Sequence, residues 1–184
     1  MRLNLPVIRP YNFMANDTKF AWVWLIIRVY IGWLWLEAGW EKFGNPAWAG
    51  DQAGAAIKGF VAHAVTLTTG EHPQVFEWYA NFLQNTITPN AAFFSYLITY
   101  GELAVGIALI LGIMTGKAAF WGGFMNLNYL LAGTAGLNPL MLVFQILLVL
   151  AWRTSGWIGL DRYIVPKIMA WKSIDWLVDR NNPA

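Results

Sequence analysis

Residues 21–40, AWVWLIIRVYIGWLWLEAGW, decide the fold of this protein. The stretch is apolar except for Arg28 and Glu37. An α-helix of about twenty residues, which rises roughly 1.5 Å per residue, crosses a hydrocarbon core of roughly 30 Å. Lys19 precedes the run and Lys42 follows it, so charges lie where the polar headgroups begin. We therefore predict that this stretch is a membrane-spanning helix.

The composition of the whole chain agrees with a membrane location. Of its 184 residues, 58% are hydrophobic and 12% are charged, and the mean hydropathy is +0.45. An ordinary soluble domain carries about twice that share of charged residues, roughly 25%. The formal net charge is only +2, which argues against nucleic acid as a partner. Because the chain has no cysteine, it cannot supply a disulfide, a thiolate ligand for an iron–sulfur cluster or a thiol nucleophile.

Three more apolar segments follow the first one along the chain. Together they predict four membrane spans, at about residues 20–41, 92–114, 118–133 and 139–153. The last two are shorter than the usual length of about twenty residues, so their ends must extend them or the bilayer must be locally thin. The predicted fold is an all-α integral membrane protein, a four-transmembrane-helix bundle in a single domain that covers residues 1–184.

Two polar segments outside these spans also show helical patterns. Apolar residues recur at helical spacing within residues 44–91, which predicts short amphipathic helices on the outer membrane surface or over the end of the bundle. Residues 163–180 show a similar pattern and predict an interfacial helix in the tail. Most lysines and arginines flank the spans on the side of the termini. This asymmetry predicts a multi-pass protein with both termini in the cytoplasm.

Charged residues within the spans are the first candidates for a functional site. An ionised side chain near mid-bilayer costs at least about 2.5 kcal/mol, so Arg28 must face protein, water or a partner charge. Glu102 shares one face of the second span with Ser95 and Thr99, and the same energetic argument points it inward. Because Glu37 lies nine residues after Arg28, on nearly the opposite face of the same helix, we predict that Arg28 pairs with Glu102.

The third span predicts close helix packing because it is rich in glycine. Asn126 lies one turn from Gly122 and also one turn from Tyr129, whereas Asn128 lies on another face. Two roles remain open for the asparagines, namely hydrogen bonds between helices and contact with a substrate. His63 and His72 both fall in the loop between the first two spans, which argues against a haem ligated by two histidines inside the bundle.

Three segments of the chain resemble the DoxX family. Residues 25–43, LIIRVYIGWLWLEAGWEKF, resemble the family's first segment, which runs from an arginine to a G-x-K motif. Residues 100–119, YGELAVGIALILGIMTGKAA, resemble its second signature, G-E-L-x-x-G-x-x-L-x-x-G. Residues 125–166, MNLNYLLAGTAGLNPLMLVFQILLVLAWRTSGWIGLDRYIVP, resemble the DoxD branch, which is the large membrane subunit of thiosulfate:quinone oxidoreductase.

This resemblance implies a membrane enzyme that passes electrons from thiosulfate to quinone and joins two thiosulfates into tetrathionate. The chain would then be the thiosulfate dehydrogenase (quinone) subunit, with quinone as a substrate and a DoxA-like second subunit or a larger respiratory complex as its partner in the lipid membrane. We expect the catalytic residues to be Arg28, Glu37 and Glu102. The expected substrate-binding residues are Lys42, Asn126, Asn128 and Tyr129, with Lys42 as the cation nearest the outer surface for a dianion.

Two other functions are consistent with the same sequence. The first is a non-catalytic DoxX-type accessory subunit, which docks through the glycine-rich third helix onto a respiratory or redox membrane complex. The second is a bundle that binds lipids or isoprenoids in an aromatic interior. In each case we expect no haem, flavin or metal within this chain, because the histidines lie outside the spans and no glycine loop follows a strand.

Overall fold

The computed structural model describes residues 18–165 and Lys167, and this part of the chain is helical without any β-strand. Eight α-helices follow one another: α1 (Ala21–Phe43), α2 (Pro46–Ala49), α3 (Ala55–Thr66), α4 (Glu77–Phe82), α5 (Ala91–Leu111), α6 (Thr115–Leu131), α7 (Asn138–Leu150) and α8 (Trp152–Ser155). A π-helical turn, Leu83–Ile87, and a 3-10 turn, Thr88–Asn90, connect α4 to α5. Residues 161–165 begin one more helical segment.

The all-α class is confirmed, and the helices include candidates for membrane spans. Two continuous helical stretches, Thr18–Phe43 and Glu77–Leu111, are long and apolar enough to cross a membrane. The helices α6 and α7 have 17 and 13 residues, so the number of four spans stays a prediction. The interfacial helix expected at residues 163–180 lies largely outside the described residues.

The helices α1 and α5 run antiparallel and pack with their backbones in contact. A Cβ atom added at Gly106 of α5 would lie 2.6 Å from the backbone nitrogen of Leu36 and 2.9 Å from the carbonyl oxygen of Gly32. At the other end of the contact, a Cβ atom at Gly39 of α1 would lie 2.8 Å from the backbone nitrogen of Leu103. Only glycine permits such an approach, and the register of the two helices is fixed by it.

The apolar side chains form two separate cores. The first core lies between α1, α5, α6 and α7, which we call the bundle, and it is built around Ile31, Trp35, Leu109 and Leu148. The second core joins α3, α4 and the N-terminal part of α5 through Ile57, Val61, Tyr79 and other buried residues. We call the helices α2, α3 and α4 the cap, because α2 and α3 pack against α5 and α4 packs against α3. Within residues 44–91, where short amphipathic helices are expected, the structure has the helices α3 and α4 at one end of the bundle.

The tryptophans of α1 divide into two groups. Trp22, Trp33 and Trp40 are exposed, and Trp22 and Trp40 lie near the two ends of the helix, as expected for aromatic side chains at the membrane interfaces. Trp24 and Trp35 are only 3% and 2% exposed and belong to the bundle core. The periodicity of an almost wholly apolar helix does not reveal its buried face, so the sequence did not separate the two groups.

Candidate functional site

Three polar side chains from three different helices meet where the bundle joins the cap. The ammonium nitrogen of Lys42, in the last turn of α1, lies 2.8 Å from Oε2 of Glu102 on α5. The hydroxyl of Tyr129 on α6 donates a hydrogen bond of 2.5 Å to Oε1 of the same carboxylate. Glu102 is 1% exposed, so these two groups replace the water that an ionised carboxylate would otherwise bind. We call this group the Lys42–Glu102–Tyr129 triad.

Local sequence and the cap together position the triad. Lys42 lies at the C-terminal end of α1, where the helix dipole favours a cation, and its ammonium also lies 5.2 Å from the ring centre of Trp48 on α2. The ring of Phe60 on α3 packs edge-on against Tyr129 at a centroid distance of 6.3 Å. The prediction that Glu102 faces inward is confirmed. The triad is thus held between membrane-type helices on one side and the cap on the other.

A second polar cluster lies beside the triad, deeper in the bundle. The side-chain amides of Asn126 on α6 and Gln145 on α7 lie 2.5 Å apart, and both residues are fully buried. When the Gln145 amide is oriented with its oxygen toward Trp35, the indole N–H donates to that oxygen at 2.5 Å. A Cβ atom at Gly122 would clash with the Gln145 amide atom that faces Trp35, so this glycine makes room for the cluster.

Gly122 and Gly123 of α6 belong to the expected docking surface of an accessory subunit, and in the structure they are buried. Gly122 faces Gln145 and Trp35, and Gly123 faces Gln145 and Leu142. Both glycines are therefore used within the chain, in the packing of α6 against α7 and α1. A partner that docks on this bundle needs another face.

Arg28 lies at the opposite end of the bundle from the triad. Its Nη2 donates to the carbonyl oxygen of Ile158 at 2.8 Å, and its Nη1 donates to that of Ser155 at 3.4 Å. Asp161 also attracts the guanidinium electrostatically and accepts hydrogen bonds from the backbone N–H groups of Met114 and Thr115. Arg28 and Asp161 thereby hold residues 155–161, which we call the return segment, against the ends of α1 and α6.

The predicted ion pair between Arg28 and Glu102 is wrong. Arg28 lies beside Gly112, at the C-terminal end of α5, since a Cβ atom there would be only 2.0 Å from its Nη1. Gly112 has a φ of 68°, a left-handed conformation that also favours glycine. Lys42, which does pair with Glu102, is 14 residues further along α1, or about 21 Å along the helix axis. The register of α1 against α5 therefore assigns the two charges different partners.

Replacing Arg28 tests its role in holding the return segment. We expect Arg28→Met to lower the free energy of unfolding by roughly 3 kcal/mol, because two carbonyl groups and a carboxylate lose a charged partner. Hydrogen–deuterium exchange of residues 155–161 should rise, whereas peptides around Tyr129 should keep their protection. Arg153→Met is the matched control, since Arg153 is exposed and stacks on Trp152. Unchanged exchange of the return segment in Arg28→Met would contradict this role.

Glu37 differs from the other charged residues of α1. It is exposed on the outer face of the helix, and the nearby Lys42 is bound to Glu102. Within residues 18–165, no cation forms an ion pair with Glu37. Its possible partners therefore lie outside the described part of the chain.

Asn128 contributes to the joint between bundle and cap rather than to the triad. Its side-chain oxygen accepts a hydrogen bond of 3.0 Å from the hydroxyl of Tyr79 on α4, and its amide nitrogen donates to the carbonyl of Phe124. Sequence reasoning missed Tyr79 and Gln145 as partners of the two asparagines. For Gln145 the signal was present, since it is the one polar side chain between Leu140 and Trp152.

A groove of about 330 Å³ lies at the end of the bundle away from the triad. It is mainly apolar and is lined by residues that include Lys117, Phe120, Trp121 and Trp152. None of these lining residues belongs to the triad. Within residues 18–165 and Lys167, no three His, Cys, Asp or Glu side chains are placed to hold a metal ion.

The comparisons with known proteins identify a family. The sequence model of the DoxX family matches residues 23–143, about two thirds of the chain. This region contains all three residues of the triad together with Arg28 and Asn126, and it ends before Gln145 and the return segment. No curated protein and no solved structure matches the chain.

Proposed function

Because the chain belongs to the DoxX family of membrane proteins, we propose that it is the membrane subunit of a quinone-linked oxidoreductase, with the Lys42–Glu102–Tyr129 triad as its proton-transfer site. The observation that carries this proposal is the buried carboxylate of Glu102, bound by a cation and a hydroxyl at the joint between bundle and cap. Ionisable groups buried in membrane helices are functional by default, since their burial is costly and a purely structural role can be filled by apolar packing.

The triad has the chemical groups that quinone reduction requires. A quinone that accepts two electrons must also accept two protons, and Glu102 and Tyr129 are a carboxyl and a hydroxyl in direct contact. Aromatic side chains surround them, with Trp35 and Phe60 about 6.4 and 6.3 Å from the ring centre of Tyr129. Such rings suit the flat, apolar ring of a quinone.

We propose thiosulfate as the electron donor, as the similarity of residues 125–166 to the DoxD branch implies. The balanced reaction joins the outer sulfur atoms of two thiosulfate dianions into one tetrathionate dianion. The two electrons released and two protons convert one quinone to quinol. Lys42 would bind the dianion. Because its ammonium is bound to Glu102 in this structure, an arriving dianion competes with the carboxylate, and Glu102 is then free to hold a proton.

The proposal includes the arrangement of the protein in the membrane. We propose that α1, α5, α6 and α7 each cross the inner membrane of a prokaryotic cell, with both termini in the cytoplasm and the cap outside. The lysines and arginines near the ends of the spans support this orientation. It places the triad toward the outer surface, where thiosulfate arrives, and Arg28 toward the cytoplasm.

A direct test is thiosulfate-dependent reduction of a short-chain soluble quinone by the purified protein in detergent, with and without co-purifying chains. We expect quinol to form with one tetrathionate for each quinone consumed. Sulfite in place of thiosulfate is the control for general reduction by sulfur anions. A properly folded preparation, complete with its partner chains, that reduces no quinone with thiosulfate would refute the proposed donor.

The non-catalytic alternative gives a different result in the same experiment. An accessory subunit would leave the rate of the complex unchanged when Glu102 is replaced, provided that the complex still assembles. A bundle that binds lipids or isoprenoids would retain such a molecule in a lipid extract and would show no thiosulfate-dependent turnover. The three functions are therefore separated by the assay together with the lipid extract.

A further inference from the structure

One face of α1 is exposed along most of its length and carries a carboxylate among aromatic side chains. This face, which we call the Glu37 face, consists of Ile26, Tyr30, Trp33, Glu37 and Trp40, which follow one another at helical spacing. Trp33 and Trp40, on either side of Glu37, are 59% and 67% exposed. The opposite face of α1 packs against α5, so the Glu37 face has no partner within the described chain.

At the depth of Glu37 along the bundle axis, the exposed surface of the bundle is apolar. Glycine contacts place the neighbouring residues of α1 beside residues 103–106 of α5. On α5, exposed apolar side chains lie on both sides of this level, with Phe93 and Leu97 toward the cap and Ile107 and Leu111 toward the other end. A carboxylate at this level would face acyl chains unless another molecule covers it.

The cations in residues 18–165 do not reach Glu37. In the described part, Arg28 and Lys42 are bound inside the bundle. Exposed Lys58 belongs to the cap. The other cations lie at the far end of the bundle, namely Lys19, Lys117, Arg153 and Arg162. A second copy in the same orientation presents these same residues at the same depths. Within the described residues, a second copy therefore has no exposed cation at the level of Glu37.

We propose that the Glu37 face binds a membrane helix of a different protein chain, and that a lysine, arginine or histidine of that helix pairs with Glu37. Charge complementarity selects this partner, because a carboxylate within hydrocarbon is stabilised by a cation. The flanking tryptophans supply the large, rigid contact surface that anchors interfaces. The inference names a partner surface and does not depend on which reaction the complex catalyses.

The test places a photo-activatable cross-linking amino acid at position 33 of the full chain in its native membrane. We expect a cross-link to a different chain, at a peptide from a membrane helix that contains Lys, Arg or His. Glu37→Gln should lower the yield of this product at least tenfold. Glu41→Gln is the matched control, since Glu41 is also exposed on α1 but lies at its end, and it should leave the yield unchanged.

Reversing the charges of Glu37 and of its partner distinguishes loss of the ion pair from misfolding. Glu37→Lys should abolish the cross-link, and replacing the partner's cation with Glu should restore it in that background. Cross-links only to lipid, only to a second copy of this chain, or with equal yield in Glu37→Gln would each overturn the proposal. Because the readout is a cross-linked peptide, these outcomes are independent of thiosulfate or quinone turnover.

Discussion

Glu102→Gln lowers the rate of thiosulfate-dependent quinone reduction at least about 100-fold, according to the proposed function. Glutamine keeps the shape of glutamate and can still accept from the hydroxyl of Tyr129, but it cannot exchange a proton. A positioned general acid or base contributes roughly 100- to 10,000-fold to a rate, which sets the expected size of the loss. The measurement is the steady-state rate in the purified complex, with saturating thiosulfate and quinone.

The variants around Glu102 separate a proton-transfer role from a structural one. Glu102→Gln leaves Lys42 without its carboxylate, but the side chain of Lys42 is 20% exposed and reaches solvent. Glu41→Gln removes an exposed carboxylate next to Lys42 and should keep full activity. Lys42→Met should raise the KM for thiosulfate if that residue binds the dianion. Full turnover in a folded Glu102→Gln complex would exclude the triad as the proton-transfer site.

Gly106→Ala should lower the free energy of unfolding by about 3 kcal/mol, and Gly106→Leu should prevent a stable bundle from forming. The added Cβ atom would lie 2.6 Å from a backbone nitrogen and 2.8 Å from the Cα of Leu36, and a backbone cannot rotate away as a side chain can. The helices α1 and α5 must then separate, which disturbs the packing of the bundle core. Size-exclusion chromatography and thermal unfolding in detergent measure the loss.

Gly101→Ala is the matched control, because it makes the same chemical change on the same helix. A Cβ atom at Gly101 would meet only the sulfur of Met125, at an ordinary contact distance of 3.5 Å. Alanine also has a higher helix propensity than glycine, by about 1 kcal/mol. We expect Gly101→Ala to be as stable as the natural chain or more so. Equal stability of the two alanine variants would mean that α1 and α5 do not pack through Gly106.

The polar face of α5 was predictable from the sequence. Ser95, Thr99 and Glu102 recur at intervals of three and four residues in an otherwise apolar helix, and all three are buried. Lys42 and Tyr129 were both predicted to contact substrate, and the structure places them together on Glu102. The face of α1 was not predictable, because its residues are apolar all round and show no preferred side. For that reason the sequence did not show that Trp35 belongs to the core.

The sequence by itself determined the helical fold and the inward direction of Glu102. Both follow from local physics, since long apolar runs form helices in lipid and an isolated polar face turns away from it. Only the tertiary structure decided which charges meet. Close contact at Gly106 sets the register of α1 against α5, and this register brings Lys42 to Glu102 and leaves Arg28 beside Gly112. Such a register depends on contacts between residues some seventy positions apart, which a pattern along one helix does not contain.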